Sequence, residues 1–174
     1  MFKNLIFSLL CLTLSTAFVS AQKFGFVDSN FILQQMESYK KAKTEIDKAA
    51  ANWQKQVEAK LKAVERMRAK YIQEEILLTP EMKDERTKEI QKKEKEAREY
   101  QNKVFGYEGL LFQRRQELIK PAQEELHKAV KTVSRRFKIQ VMFDKSSDLI
   151  MIYASPTHDY TERVLVELGL LDED

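Results

Sequence analysis

Cysteine, glycine, proline and histidine are all scarce in this sequence. Its 174 residues include 1 cysteine, 4 glycines, 3 prolines and 2 histidines. Cys11 lies in an N-terminal apolar run, so the chain beyond that run has no thiol and cannot form a disulfide framework. Burial and assembly must therefore hold the fold together.

The same scarcity excludes several kinds of catalytic site. The sequence has no glycine-rich phosphate loop, nucleophile elbow or pair of metal ligands. His127 and His158 lie in different predicted elements, and no paired carboxylate motif is near either of them. Neither histidine is therefore expected to bind a metal or to act in acid–base catalysis. We expect a protein that is not an enzyme and that needs no cofactor.

The first 21 residues predict a signal peptide that is removed. Lys3 supplies a positive start, residues 5–19 are almost all apolar, and Val19-Ser20-Ala21 offers small residues for cleavage. The apolar run is shorter than the roughly 20 residues that span a bilayer, which argues against a membrane anchor. We expect export, with cleavage between Ala21 and Gln22.

Residues 38–118 predict a long antiparallel α-helical coiled-coil hairpin. Helix-forming composition continues throughout, and apolar residues recur with the four-then-three spacing of a coiled-coil seam. At the one strong break, Thr79 can cap a helix, Pro80 suits its first position and Glu81 favours its positive end. The tip is therefore expected near residues 78–81. The predicted seam residues are Tyr39, Ile46, Trp53 and Met67, then Ala50, Val57, Val64, Tyr71 and Leu78, and on the return Ile90, Ala97, Val104, Leu111 and Leu118.

Several apolar residues of the hairpin exceed what a two-helix seam can bury. The aliphatic residues before the tip either staple the turn or form an exposed apolar end. The aromatic residues of the returning helix either pack where the hairpin meets the rest of the fold or contact a partner beside a hinge. Glycine and proline weaken or kink the helix that contains them. The candidate contact residues are Leu77, Leu78, Tyr100, Phe105, Tyr107 and Phe112, and the candidate hinges are Gly106, Gly109 and Pro121.

Residues 22–37 and 119–174 predict a small β-rich body. We expect a strand at 23–28, a β-hairpin made from 139–144 and 149–154, and a last helix that Asp159 or Thr161 caps and Gly169 stops. Three short strands with apolar faces and open edges cannot cover themselves. The predicted fold is therefore α+β and mostly α, and the body is expected to make the protein an obligate homo-oligomer.

Charge is distributed unevenly along the chain. There are 10 basic and 4 acidic residues from Lys40 to Gln73, 9 and 4 from Lys103 to Lys138, and 2 and 8 from Asp144 to Asp174. The basic helices are either ordinary solvated surface or a positive lining that attracts anionic partners. The pairs Arg114-Arg115 and Arg135-Arg136 could contact lipid headgroups transiently, although solvated surface is the simpler interpretation. The predicted export argues against nucleic acid as a partner.

The two ends of the sequence resemble the Skp/OmpH family of periplasmic chaperones. The resemblance lies in the strand Lys23-Phe-Gly-Phe-Val-Asp28 before a very long hairpin, and in three later motifs. These motifs are Phe143-Asp-Lys-Ser, Ile152-Tyr-Ala-Ser-Pro156 and Asp159-Tyr-Thr161.

The resemblance implies a homotrimer with a β-barrel body from which three helical arms extend around a cavity. It also implies a holdase that acts without ATP in the periplasm, where it binds unfolded outer-membrane proteins and prevents their aggregation before membrane assembly. A structural coiled-coil adaptor in a cell-envelope complex is the alternative. A fixed partner would favour an unbroken seam, and Lys60, Glu74, Gly106 and Gly109 argue against one.

Overall fold

The computed structural model describes residues 22–147 and 151–172. The chain forms two compact units, one made of Met1–Asn30 with Lys128–Asp174 and the other of Phe31–His127. The predicted signal peptide and the 149–150 part of the predicted third strand lie outside the described residues. No helix in the described part is long and apolar enough to cross a membrane.

Helices dominate the described chain, which confirms the predicted fold class. The sheet has two strands, and two short 3₁₀ turns lie at Glu75–Leu77 and Pro156–His158. In chain order the elements are β1 (Phe24–Val27), α1 (Ser29–Gln35), α2 (Glu37–Glu74), α3 (Pro80–Phe105), α4 (Leu110–Arg136), β2 (Val141–Asp144) and α5 (Thr161–Glu167).

The predicted hairpin is present, and α2 and α3 run antiparallel. The Tyr100 hydroxyl donates to Gln56 Oε1 at 2.6 Å, and Arg68 pairs with Glu94 nearer the tip. The predicted seam is confirmed by burial, because one apolar row on each helix is removed from solvent. The most buried seam residues are Ile46, Val57 and Val64 on α2 and Ile90, Ala97 and Val104 on α3.

A lysine occupies one seam register of α2. The Lys60 ammonium lies 5.0 Å from the centre of the Tyr100 ring across the seam. A cation over an aromatic face is attracted by the electrons of the ring, while the lysine itself stays exposed. The seam therefore accepts this charge without burying it.

The tip has the predicted helix-start chemistry. The Thr79 side chain accepts a hydrogen bond from the Met82 N–H at 3.3 Å, and α3 begins at Pro80. The hydroxyl satisfies one of the N–H groups that a helix leaves free at its start. The turn is therefore fixed by local chemistry.

The returning arm of the hairpin is not one continuous helix, and its break lies at the candidate hinges Gly106 and Gly109. Helix α3 ends at Phe105, where the Gly106 N–H bonds to the Asn102 carbonyl, and α4 starts at Leu110. Between them Glu108 has φ of 51°, a left-handed conformation that is uncommon for residues other than glycine. Two glycines within four residues lower the stability of a continuous helix enough to allow this break. Pro121, by contrast, lies inside α4, which continues through it.

The sheet pairs differently from the prediction. Strands β1 and β2 are parallel, with Phe24 opposite Val141 and Val27 opposite Asp144, and a bridge joins Phe26 to Asp159 on the other edge of β1. Both edges of β1 are thus occupied, and residues 151–154 form no strand. The first strand of the predicted β-hairpin is present as β2, whereas the described part of its second strand, residues 151–154, is not a strand.

Two short turns of the same kind hold the junction between β1 and α1. In each, an aspartate Oδ1 accepts from the N–H and the hydroxyl two residues later, in Asp144–Ser146 and in Asp159–Thr161. The two hydroxyl oxygens then accept backbone N–H groups of residue 30, at 3.2 Å, and residue 28, at 3.0 Å. The Asp144-Lys-Ser motif therefore sets local backbone geometry.

The last helix ends as predicted. Gly169 has φ of 68°, and the Leu170 N–H bonds back to the Leu165 carbonyl at 2.9 Å. This left-handed residue after the helix closes the final turn without steric strain on a side chain.

Gly25 lies against the ring of Tyr160, and we predict that it tolerates no side chain. A Cβ at residue 25 would lie 2.6 Å from two ring carbons. Gly25→Ala should therefore lower the free energy of unfolding by about 1–3 kcal/mol, which urea titration would measure. In the Gly25→Ala background, Tyr160→Ala should cost less stability than it does in the wild type. Additive losses would contradict the predicted clash.

The Asp144 turn should make stability depend on pH. Partial burial alone would raise the pKa of Asp144, but hydrogen bonds from Ser29 and Ser146 outweigh it and lower that pKa. An aspartate whose pKa is lower in the folded chain stabilises the fold fully at pH values above its pKa in the unfolded chain, about 3.9. This stabilisation is lost as the pH falls through the pKa of the folded chain.

Asp144→Asn should therefore destabilise the protein most near neutral pH, and the difference from the wild type should shrink in acid. Urea titrations at several pH values would measure it, with exposed Asp47→Asn as the control. A difference that stays constant down to about pH 3 would contradict the assignment.

Candidate functional site

The most exposed aliphatic side chains of the hairpin are at its tip. Ile76 is 94% and Leu77 83% exposed, and Ile72 and Met82 are also exposed beside them. Leu78 is different, because it lines a groove between α2 and α3. Met67 and Ile90 line the same groove. At the tip, Leu78 is therefore partly covered, and the residues before it form an exposed aliphatic end.

A second exposed apolar group surrounds the break between α3 and α4. Tyr107 is 97% exposed in the turn, and Phe105 and Phe112 are exposed on either side of it. The turn places Tyr107 between two glycines, where no helix face can cover its ring. We call these three residues the aromatic break. We call Ile72, Ile76, Leu77 and Met82 the aliphatic tip.

The candidate contact residues fall into two classes. Leu77, Phe105, Tyr107 and Phe112 are exposed, whereas Leu78 and Tyr100 are partly covered by the seam. Ile72 and Met82 are also exposed but were not among the candidates. Neither residue occupies a seam register, and this position alone could have predicted that they are exposed. Of the candidate hinges, Gly106 and Gly109 lie at the break and Pro121 lies within α4. At the candidate cleavage site, Gln22 is exposed and Ala21 lies outside the described residues.

Charges on α3 are neutralised along the helix itself. Asp84 pairs with Lys88, Lys93 with Glu96, and Arg98 with Glu94. The hydrogen bonds that Lys88 donates to Asp84 and Lys93 donates to Glu96 raise the pKa of each lysine. Hydrogen bonds donated by Arg98 and then Arg68 lower the pKa of Glu94. These shifts favour the charged forms of Lys88, Lys93 and Glu94, and the charges cancel in pairs along the helix.

Charges on α2 are less balanced. Four lysines recur there at seven-residue spacing, Lys41, Lys48, Lys55 and Lys62, and within the described residues these four form no ion pair. Residues spaced by seven lie on one face of a helix, so this face of α2 is cationic.

The β-containing unit has its own apolar surface. A cavity of about 410 Å³ is lined by Phe24, Phe143 and Tyr153, with His158 stacked on the Phe24 ring at 4.9 Å. Ile152, which precedes Tyr153 in the sequence, is 97% exposed. Among the described residues, β2 pairs with β1 alone, so its second edge has no strand partner.

The aliphatic tip and the aromatic break carry no side chains that bind metal ions well. No set of three or more histidine, cysteine, aspartate or glutamate side chains in the described part of the chain could hold a metal ion. The arrangement offers contact through exposed apolar side chains on a helical support.

Comparison with known proteins agrees with this architecture. A proposed outer membrane chaperone (OmpH-like) from Caulobacter crescentus CB15 has a similar crystal structure, with a TM-score of 0.68 at 12% identity. The similarity covers 87% of this chain and 85% of that one, and it shows a shared fold. No curated protein sequence matches. Residues 23–168 match the family described as outer membrane protein (OmpH-like), and the chain therefore belongs to the OmpH-like family, as its two ends predicted.

Proposed function

We propose that this protein is a periplasmic holdase chaperone that works without ATP. It binds unfolded outer-membrane proteins and prevents their aggregation before membrane assembly. The observation that carries the proposal is the exposure of two apolar groups, the aliphatic tip and the aromatic break, on a long helical hairpin. Membership of the OmpH-like family and the fold shared with a proposed outer membrane chaperone support it.

The chemistry of the client suits such a surface. An unfolded transmembrane β-barrel carries an apolar side chain at every second position, and in water its strands pair with one another. Exposed aliphatic and aromatic side chains compete for those apolar faces. Contacts of this kind are weak and undirected, so one surface serves many clients without a catalytic step.

We further propose that the body formed by residues 22–37 and 119–174 assembles three chains, whose hairpins at 38–118 surround the client. A sheet of two four-residue strands is marginal on its own, and the unpaired edge of β2 beside an apolar cavity favours association. Gly106 and Gly109, with Pro121, are the proposed hinges of each arm. Exposed Arg115 and the α2 lysines are available for transient contact with anionic headgroups.

Removal of the aliphatic tip should weaken capture of clients. Burial of one such side chain contributes about 1.5–3 kcal/mol, so Ile76→Ser with Leu77→Ser should weaken binding by about tenfold or more. Light scattering of an outer-membrane β-barrel protein diluted from urea, without nucleotide, would measure this loss. Exposed Gln73→Ser on α2 serves as the control and should suppress aggregation as well as the wild type does.

If the wild-type protein fails to suppress this aggregation, the holdase proposal is wrong. That result would favour the structural adaptor.

The break should close when its glycines are replaced. Alanine favours helix over glycine by about 1 kcal/mol per residue, so Gly106→Ala with Gly109→Ala should join α3 to α4. A Cβ on Gly106 would also collide with the Asn102 carbonyl in the present turn.

Amide hydrogen exchange at Tyr107 and Glu108 should then slow, because a continuous helix bonds each N–H to the carbonyl four residues earlier. The variant should also hold a narrower range of client sizes. Unchanged exchange, or equal capacity for small and large clients, would contradict the hinge assignment.

A further inference from the structure

Helix α3 is apolar at its two ends and polar between them. Among its large hydrophobic side chains, Met82 at the start and Phe105 at the end are exposed, and no such residue between them is. The apolar residues of the middle, Ile90 and Ala97, are buried in the seam. The aliphatic tip continues the first apolar end, and the aromatic break continues the second.

The middle of α3 carries charge without a net field. Besides the three pairs already described, Arg86 pairs with Glu89 and Lys95 with Glu99. Each is a pair three or four residues apart on one helix, and such pairs are only weakly stabilising at an exposed surface. The middle section therefore neither attracts nor repels a charged segment strongly.

The two apolar ends are separated by a defined length. Met82 and Phe105 are 23 positions apart, which at about 1.5 Å per residue gives roughly 35 Å along the helix axis. An extended chain rises about 3.3 Å per residue, so about 10 or 11 residues cover the same distance. A transmembrane β-strand has about 9–11 residues.

We propose that α3 is a two-point docking surface for one extended segment with the length of a transmembrane strand. The aliphatic tip binds one apolar end of the segment, and the aromatic break binds the other. The ion-paired middle faces the alternating polar side chains between them. This inference rests on the proposed holdase function and names what each hairpin recognises in its client.

The occupant follows from the matching pattern of the two chains. Transmembrane β-strands carry girdles of aromatic residues at both membrane interfaces and alternate polar with apolar side chains between them. Binding at two linked points raises affinity through effective concentration, provided the linker spans both points. A folded partner with one apolar groove would use a single end of α3, and its affinity would not depend on length.

Designed peptides test the length requirement directly. Each carries a fluorophore and two tryptophan anchors separated by about ten or about four residues of alternating serine and threonine, and a third peptide carries one anchor. Fluorescence anisotropy with the purified protein measures each affinity. The longer two-anchor peptide should bind at least about tenfold more tightly than either other peptide.

Variants assign the two points. Ile76→Ser with Leu77→Ser, or Tyr107→Ser alone, should reduce the longer peptide to the affinity of the single-anchor peptide. These side chains are exposed, so folding should be unchanged, and circular dichroism would verify it. Leu61→Ser, at an exposed apolar residue of α2 outside both groups, should leave the length dependence intact.

Equal affinity for all three peptides would overturn two-point docking. The holdase proposal would still stand after that result if the same preparation suppresses aggregation of a full-length β-barrel protein. Length dependence that survives both tip and break variants would likewise overturn the assignment of the two points. If the wild-type protein fails to suppress aggregation of the full-length β-barrel protein, the holdase function itself is refuted.

Discussion

A seam between two helices has room for one apolar row from each, and most features of the hairpin follow from this limit. Val57 and Val104 fill the seam and are buried, so any further apolar residue must stay in solvent. The aliphatic tip and the aromatic break are this excess. A larger bundle would cover such side chains with a third helix, and the surface proposed to bind clients would not exist.

The sequence predicted the parts of the fold that depend on local chemistry. Seven-residue spacing located the seam, Thr79 and Pro80 located the tip, and Gly169 located the end of the last helix. These signals worked because each acts within one or two helical turns. The exposure of Leu77 was also foreseeable, since a residue outside both registers of a two-helix seam has nothing to cover it.

The sequence failed where structure depends on distant partners. Strands β1 and β2 are separated by more than a hundred residues, and nothing in either run states that they pair in parallel. Residues 151–154 have the composition of a strand but form none, although the second edge of β2 has no strand partner among the described residues. Composition alone does not decide whether a segment pairs. The break at Gly106 was visible only as a weak point, because its left-handed residue is Glu108. Side-chain identity alone did not mark that position.

The charge pattern of α3 affects how easily the hairpin can come apart. Most of its ion pairs lie along the helix itself, and among the described residues the pair Arg68–Glu94 joins the middle of α3 to α2. Sideways separation of the two helices would therefore strip few charges of their partners, and it would expose mainly the aliphatic row between them. The attraction between α2 and α3 therefore comes mainly from burial of apolar side chains, and it should respond little to salt.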